Sequence, residues 1–149
     1  MHFEASLTVK VPREKAYAAY TDFEAMPMWS KGVTAVRILK RERDTVYLEG
    51  EGVSPGRTRI AARKVRLLPP DRVESEGKTR FARSKRVVKF EEVPAGTKVT
   101  VTWDVQVTGL WSVILTPRES DTSESSTAEE LASFARYVEG LPWEGPESA

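Results

Sequence analysis

The chain is dominated by runs in which apolar and polar residues alternate, separated by short turns. Phe3 to Val11 alternates with a period of two, as does Thr97–Thr108, a pattern typical of strands with one buried face. Connections such as Pro94-Ala95-Gly96 are too short for a parallel crossover. The pattern therefore predicts seven antiparallel strands. The remaining runs are Val33–Lys40, Thr45–Gly52, Arg57–Leu68, Arg72–Glu76 and Thr79–Phe90.

Two short helical segments are predicted directly after the first strand. Pro12 suits the first position of a helix, where its missing N–H is not needed. Apolar residues recur at helical spacing from Ala16 to Phe23, and Asp22 can cap a second turn over Phe23–Met26.

A helix is also predicted near the C-terminus. An apolar stripe runs from Leu131 to Val138, and Gly140 ends it. Ser126 and Thr127 each begin a capping-box pattern, and the segment before them is polar, so this helix is expected to start late. The order of segments predicts an α+β fold in which a curved sheet wraps around the last helix and encloses a pocket.

Composition limits the chemistry available to the chain. Its 149 residues suit a single domain covering residues 1–149. The sequence has no cysteine and one histidine, His2, which excludes disulfides, cysteine-ligated metals and histidine-based triads. We expect no metal and no cofactor. No apolar run approaches the ~20 residues of a membrane span, and no signal peptide is evident, so a cytoplasmic location is expected.

Three segments resemble a known superfamily. They are Val11-Pro12 before the first helix, the run from Asp22 to Trp29, and Arg136-Tyr137-Val138-Glu139-Gly140 in the last helix. With the order of elements, they resemble the START-like (SRPBCC) superfamily of polyketide cyclases, dehydrases and lipid-transport proteins, which includes the birch-pollen-allergen fold. The resemblance implies a helix-grip fold that holds a hydrophobic ligand between the sheet and the last helix.

Aromatic residues are the first candidates for the pocket wall, because they combine apolar area with a polar group. Trp29, Trp103 and Trp111 are expected to contact the ligand, although each could equally belong to the core. The full set of predicted ligand-binding residues is Trp29, Tyr47, Arg63, Arg86, Phe90, Trp103, Trp111 and Phe134.

Arg63 and Arg86 are the less usual candidates. If Val65 and Val88 face inward, alternation turns these arginines inward as well. A buried guanidinium needs a carboxylate, water or an acidic ligand, and Glu49 or Glu51 could supply the carboxylate. Alternatively, the arginines lie near strand ends and reach solvent.

Acid–base and docking roles remain open. Tyr47, Asp104, Glu49 and Glu51 are candidates for proton transfer, although paired strand glutamates are more often surface residues. A basic outer face is also predicted, either solvated and interlaced with Glu74 and Glu76 or docking on a ribosome or an anionic membrane. Its residues are Lys64, Arg66, Arg80, Arg83, Lys85 and Lys89.

The leading functional hypothesis is a carrier or binding protein for a small hydrophobic or amphipathic ligand, such as a lipid, quinone or polyketide-like molecule. The first alternative is an aromatase/cyclase- or dehydratase-like enzyme. The second is a docking module that uses the basic face. No DNA partner is expected, and the sequence leaves the oligomeric state open.

Overall fold

A single antiparallel sheet forms most of the molecule. The structure, a computed structural model, describes residues 2–31, 33–54, 57–78, 82–107 and 117–142. Within them the strands are β1 (His2–Val9), β2 (Val33–Glu42), β3 (Thr45–Ser54), β4 (Arg57–Leu68), β5 (Arg72–Lys78), β6 (Ala82–Val93) and β7 (Gly96–Val107). They pair antiparallel in the order β1-β7-β6-β5-β4-β3-β2. The predicted α+β fold with a seven-stranded sheet is confirmed.

The helices also follow the predicted order. Helix α1 (Arg13–Thr21) and a 3-10 helix (Phe23–Met28) come after β1, and α2 (Pro117–Glu139) closes the described chain. No described helix is both long and apolar enough to cross a membrane.

The predicted late start of the last helix is wrong. Helix α2 begins at Pro117, well before the capping-box residues Ser126 and Thr127, and Thr127 is buried inside it. Proline is well tolerated at the first helical position, and serine and threonine lower helix propensity only modestly. A polar segment can therefore continue a helix that its apolar end anchors.

The core lies between the inner face of the sheet and the helices. Phe134 of α2 is fully buried and packs edge-on against Tyr20 of α1 and Trp29. Phe90 of β6 contacts Tyr20 and Tyr17 from the other side. The apolar stripe of α2 is thus joined to the sheet through an aromatic cluster.

The β6–β7 turn is fitted closely against the end of β1. Gly96 has a φ of +143°, and a Cβ placed there would lie 2.1 Å from the carbonyl oxygen of Val9. Beside it, the buried Thr97 hydroxyl donates a hydrogen bond to the Val11 carbonyl at 2.8 Å. A glycine is required at this position because both the space and the backbone conformation exclude a side chain.

Candidate ligand cavity

A cavity of about 510 Å³ lies between the inner face of the sheet, the 3-10 helix and α2. This volume falls within the range of small-molecule sites. Strand alternation turns aliphatic side chains toward it, so most of its wall is apolar. The apolar residues include Phe23, Val36, Leu48, Val65, Val73 and Val88.

Polar residues in and beside the cavity lie on adjacent cross-strand rows of the inner face. Arg63 of β4 pairs with Gly77 of β5, which pairs with Ser84 of β6. In the next row, Ser75 of β5 pairs with Arg86 of β6. Arg86 in turn pairs with Trp103 of β7. The period of two thus places a polar band across an otherwise apolar surface.

Arg63 lies inward, as predicted, and its partners are hydroxyl groups. Its guanidinium donates to Ser75 Oγ at 3.1 and 3.3 Å and to Ser84 Oγ at 3.3 Å. Gly77 makes room for it, since a Cβ there would lie 2.7 Å from Arg63 Nη1. Burial, and then repulsion from Arg86, lowers the pKa of Arg63 to about 10. Arg63 therefore remains a cation at neutral pH.

Arg86 also lies inward and stacks on an aromatic ring. Its guanidinium carbon is 4.7 Å from the ring centroid of Trp103. Burial would lower the pKa of Arg86, but interactions with Tyr20, including a hydrogen bond, and the charge of Glu130 raise it above the ordinary value. Among the described residues, Arg86 Nε and Trp103 Nε1 are buried without a hydrogen-bond acceptor. Unpaired buried donors are costly, so both point to an acceptor on a bound molecule or to water.

The predicted carboxylate partners of these arginines are not where the strand pattern suggested. Glu49 turns to the outer face and pairs with Arg37 at 2.8 Å. Glu51 lies exposed at the cavity rim. Within the described part of the chain, no carboxylate forms an ion pair with either inward arginine. Glu130 of α2 is the acidic residue whose charge raises the pKa of Arg86. Strand alternation alone does not predict this interaction.

The predicted aromatic residues separate into different environments. Trp103 lines the cavity, whereas Trp29 is a core residue, 5.0 Å from the Phe134 ring, that lines a smaller void beside it. Phe90 and Phe134 are fully buried in the core and do not line the cavity. Tyr47 lies on the outer face, and Trp111 falls outside the described residues.

Sequence reasoning missed Tyr20, Ser75 and Glu130 as cavity residues. Ser75 could have been found, because alternation from the buried Val73 turns it inward. Tyr20 falls within the helical stripe predicted from Ala16 to Phe23, but its interaction with Arg86 depends on how α1 packs on β6.

The outer face of the sheet carries both signs of charge. One cross-strand row reads Lys64, Glu76, Lys85 and Asp104 across β4 to β7. Asp104 Oδ1 also contacts His2 Nδ1 at 2.6 Å, and both are exposed. A groove of about 800 Å³ follows this row and is also lined by Leu48, Arg63 and Ser84. The described part of this face is therefore an interlaced surface, and Arg80 lies outside the described residues.

Comparison with known proteins agrees with the fold. The sequence profile of the family described as polyketide cyclase / dehydrase and lipid transport matches residues 9–122. No curated protein matches the sequence.

Solved structures match at low identity. Protein TTHA0849 of Thermus thermophilus superposes with a TM-score of 0.81 at 17% identity, covering 93% of this chain and 97% of that one. The Zhui aromatase/cyclase of Streptomyces sp. R1128 gives 0.80 at 15%, with 93% of each chain covered. The di-domain aromatase/cyclase StfQ of the steffimycin pathway gives 0.79 at 14%, covering 93% of this chain, which spans 50% of StfQ.

At these identities the structural matches establish only the fold. The profile match covers well over half of the sequence, so it establishes the family. The resemblance predicted from the three sequence segments is confirmed. The chain belongs to the polyketide cyclase/dehydrase and lipid transport family.

Proposed function

We propose that the cavity binds one small amphipathic molecule in a carrier or binding role. Its apolar body would lie against the aliphatic wall, and its polar end would accept hydrogen bonds from Arg63, Arg86 and Trp103. A lipid, a quinone or a polyketide-like molecule fits this description. The observation that carries the proposal is the inward pair Arg63 and Arg86, which lacks an ion-paired carboxylate within the described chain.

Removing a charged group from water costs free energy. A guanidinium removed from water is stable when an anion or several acceptors face it. Arg63 has two serine hydroxyls, and Arg86 Nε has no acceptor among the described residues. A ligand carboxylate or carbonyl placed between them would satisfy both groups and Trp103 Nε1 at once.

The expected affinity is moderate. Burying ~300 Å² of ligand apolar surface gives about 7 kcal/mol at ~25 cal/mol/Å². Lost translational freedom and ordering remove a large part of that gain. Micromolar dissociation constants are therefore expected for a simple alkyl probe.

The proposal is tested by titrating dodecanoate and dodecanol into the purified protein by calorimetry. Dodecanoate should bind, and Arg63→Met, Arg86→Met and the double variant should weaken it about tenfold or more, as expected for a lost charge-assisted hydrogen bond. Dodecanol affinity should change little. Arg66→Met is the matched control, because Arg66 lies on the same strand but on the exposed outer face near Asp44.

Equal dodecanoate affinity in all four variants and the wild type would show that neither inward arginine holds the polar end. No binding of either probe to the wild type would reject the amphipathic-ligand proposal itself. Mass spectrometry of small molecules extracted from the purified protein gives an independent check on the ligand class.

A second candidate is an aromatase/cyclase- or dehydratase-like enzyme. It is favoured by Tyr20, whose pKa is raised chiefly by burial and whose hydroxyl therefore keeps its proton beside Arg86. A protonated phenol and a guanidinium together could stabilise an oxyanion that develops on a substrate carbonyl. Turnover of a poly-β-ketone substrate that is lost in Tyr20→Phe would support the enzyme, whereas recovery of the bound molecule unchanged supports the carrier.

Docking on a ribosome or an anionic membrane through the outer face has less support. Lys64, Glu76, Lys85 and Asp104 alternate in sign along one row, so their charges offset one another. Binding to RNA or anionic vesicles with a steep salt dependence would revive this alternative.

A further inference from the structure

Glu130 lies at the boundary between the cavity and a smaller buried void. It projects from α2, lines the main cavity, and also lines a void of about 10 Å³. Arg86, Tyr20 and Trp29 line the same void. A space of this size is close to the minimum that holds one water molecule. Glu130 and Arg86 thus line the same small space, and the Glu130 charge acts on Arg86.

Ser30 holds the Glu130 side chain in this position. Ser30 is buried, and its hydroxyl donates a hydrogen bond to Glu130 Oε1 at 3.1 Å. The neighbouring residue Glu129, in contrast, is exposed at the cavity rim. The two adjacent glutamates therefore place their charges in different environments.

Glu130 supplies the negative charge that offsets Arg86. Desolvation acts against the charged guanidinium, while Tyr20 and Glu130 favour it. Burial raises the pKa of Tyr20, so its phenol is uncharged at neutral pH and acts there as a hydrogen-bond partner. Glu130 is therefore the carboxylate whose charge stabilises the Arg86 cation.

The partly buried charged residues of the cavity wall therefore have an uneven charge balance. Arg63 and Arg86 contribute two positive charges, and Glu130 contributes one negative charge. The partners of Arg63 among the described residues are neutral hydroxyls. Charges at the exposed rim are screened by water and weigh much less. One positive charge remains uncompensated inside.

We propose that Glu130 determines ligand specificity by leaving the partly buried charged residues of the cavity wall with a single net positive charge, which selects a ligand whose polar end is one carboxylate. The inference rests on the proposed function and narrows it. A monocarboxylate neutralises the remaining charge, whereas a neutral end leaves it uncompensated. A second negative charge on the ligand would meet the Glu130 carboxylate in a poorly solvated space, where like charges repel strongly.

The test compares three probes that share one alkyl chain: dodecanol, dodecanoate and dodecylmalonate, measured by calorimetry at pH 8. The wild type should bind dodecanoate most tightly. Glu130→Gln should raise the affinity for dodecylmalonate relative to dodecanoate by about tenfold or more, because it removes one of two like charges at close range. The amide oxygen can still accept the Ser30 hydrogen bond, so the fold is expected to survive.

Glu129→Gln is the matched control, since it removes the same charge from the next residue of the same helix. It should leave the ratio of the two acid probes unchanged within about twofold, because an exposed charge is screened. If Glu130→Gln leaves the ratio of the affinities for the two acid probes unchanged, or shifts it no more than Glu129→Gln does, the role of Glu130 is overturned.

The two proposals fail in different ways. Suppose that dodecanoate binds and that the inward-arginine variants weaken this binding. If Glu130→Gln then leaves the ratio of dodecylmalonate to dodecanoate affinity unchanged, only the specificity role is rejected. If no probe binds to the wild type, both proposals are rejected together.

Discussion

The cost of a buried guanidinium makes Arg63 a residue whose removal should stabilise the fold. The pKa of Arg63 is lowered to about 10, so the folded protein carries an unfavourable charge at neutral pH that the unfolded chain does not feel. Arg63→Met is expected to raise the free energy of unfolding by about 1–3 kcal/mol at pH 7. Chemical denaturation measures this directly.

The sign of the effect also fixes its pH dependence. Above pH 10 the folded state releases the Arg63 proton while the unfolded state still holds it, so the cost is relieved as pH rises. The advantage of Arg63→Met should therefore shrink above pH 10. A variant that is less stable than the wild type at pH 7 would show that the serine hydrogen bonds outweigh the desolvation cost.

The loss of the Arg63 proton near pH 10 also predicts how binding depends on pH. Dodecanoate affinity should be flat from pH 8 to about 10 and then fall by up to about tenfold per pH unit, because free Arg63 loses its charge in that range. In Arg63→Met this fall should be absent. Calorimetric titrations in matched buffers from pH 8 to 11 measure the dodecanoate affinity of both proteins. An identical decline in the two would show that Arg63 is not the group responsible.

Gly77 offers a more selective change at the same site. A methyl group there would displace the end of the Arg63 side chain, which is flexible, so the backbone need not move. Gly77→Ala is expected to weaken dodecanoate binding about fivefold or more, since the guanidinium loses its position. The free energy of unfolding should change by less than about 1 kcal/mol. Unchanged dodecanoate binding would show that the position of this guanidinium is unimportant.

At the scale of elements, the β6–β7 turn is the most constrained connection. In Gly96→Ala the added carbon meets the Val9 carbonyl, which belongs to the backbone and cannot swing away, and φ is +143°. We expect a loss of about 2–4 kcal/mol in the free energy of unfolding.

Gly140→Ala serves as the control for this prediction. Gly140 follows α2, and a Cβ there would meet backbone oxygens at ordinary distances of 3.5 and 3.7 Å. Its effect should stay within about 1 kcal/mol. Equal stability of the Gly96→Ala protein and the wild type, measured by urea denaturation, would contradict the close fit of β1 against the turn.

The elements show why some features could be predicted and others could not. The strands and the inward direction of Arg63 and Arg86 follow from a period of two, which is a local property of the chain. The electrostatic interaction of Arg86 with Glu130 links β6 to α2, and it depends on tertiary packing. The start of α2 was misplaced for a related reason, because capping patterns are local and the helix continues through them.

Tryptophans show the same limit. Trp103 belongs to an alternating strand, so its inward direction could be predicted, and it lines the cavity. Trp29 follows a 3-10 helix without a regular period, and its position in the aromatic core beside Phe134 emerges only from the packed structure.

At the scale of the whole molecule, the sheet and α2 together create a space whose wall is mostly apolar and whose partly buried charged residues are net positive. The family fold accounts for the space, while the residues of this chain decide its charge. Arg63, Arg86 and Glu130 come from different elements, so the charge balance exists only in the assembled fold. We infer that this charge balance binds the acidic end of an amphipathic ligand.

The most direct measurement is a crystal structure of the protein with dodecanoate. The account predicts the alkyl chain in the 510 Å³ cavity, with a carboxylate oxygen about 2.7–3.2 Å from a guanidinium nitrogen of Arg63 or Arg86. A carboxylate at the solvent-exposed rim with the chain pointing toward the arginines would contradict it, as would dodecanoate bound in the outer groove with the cavity occupied by water.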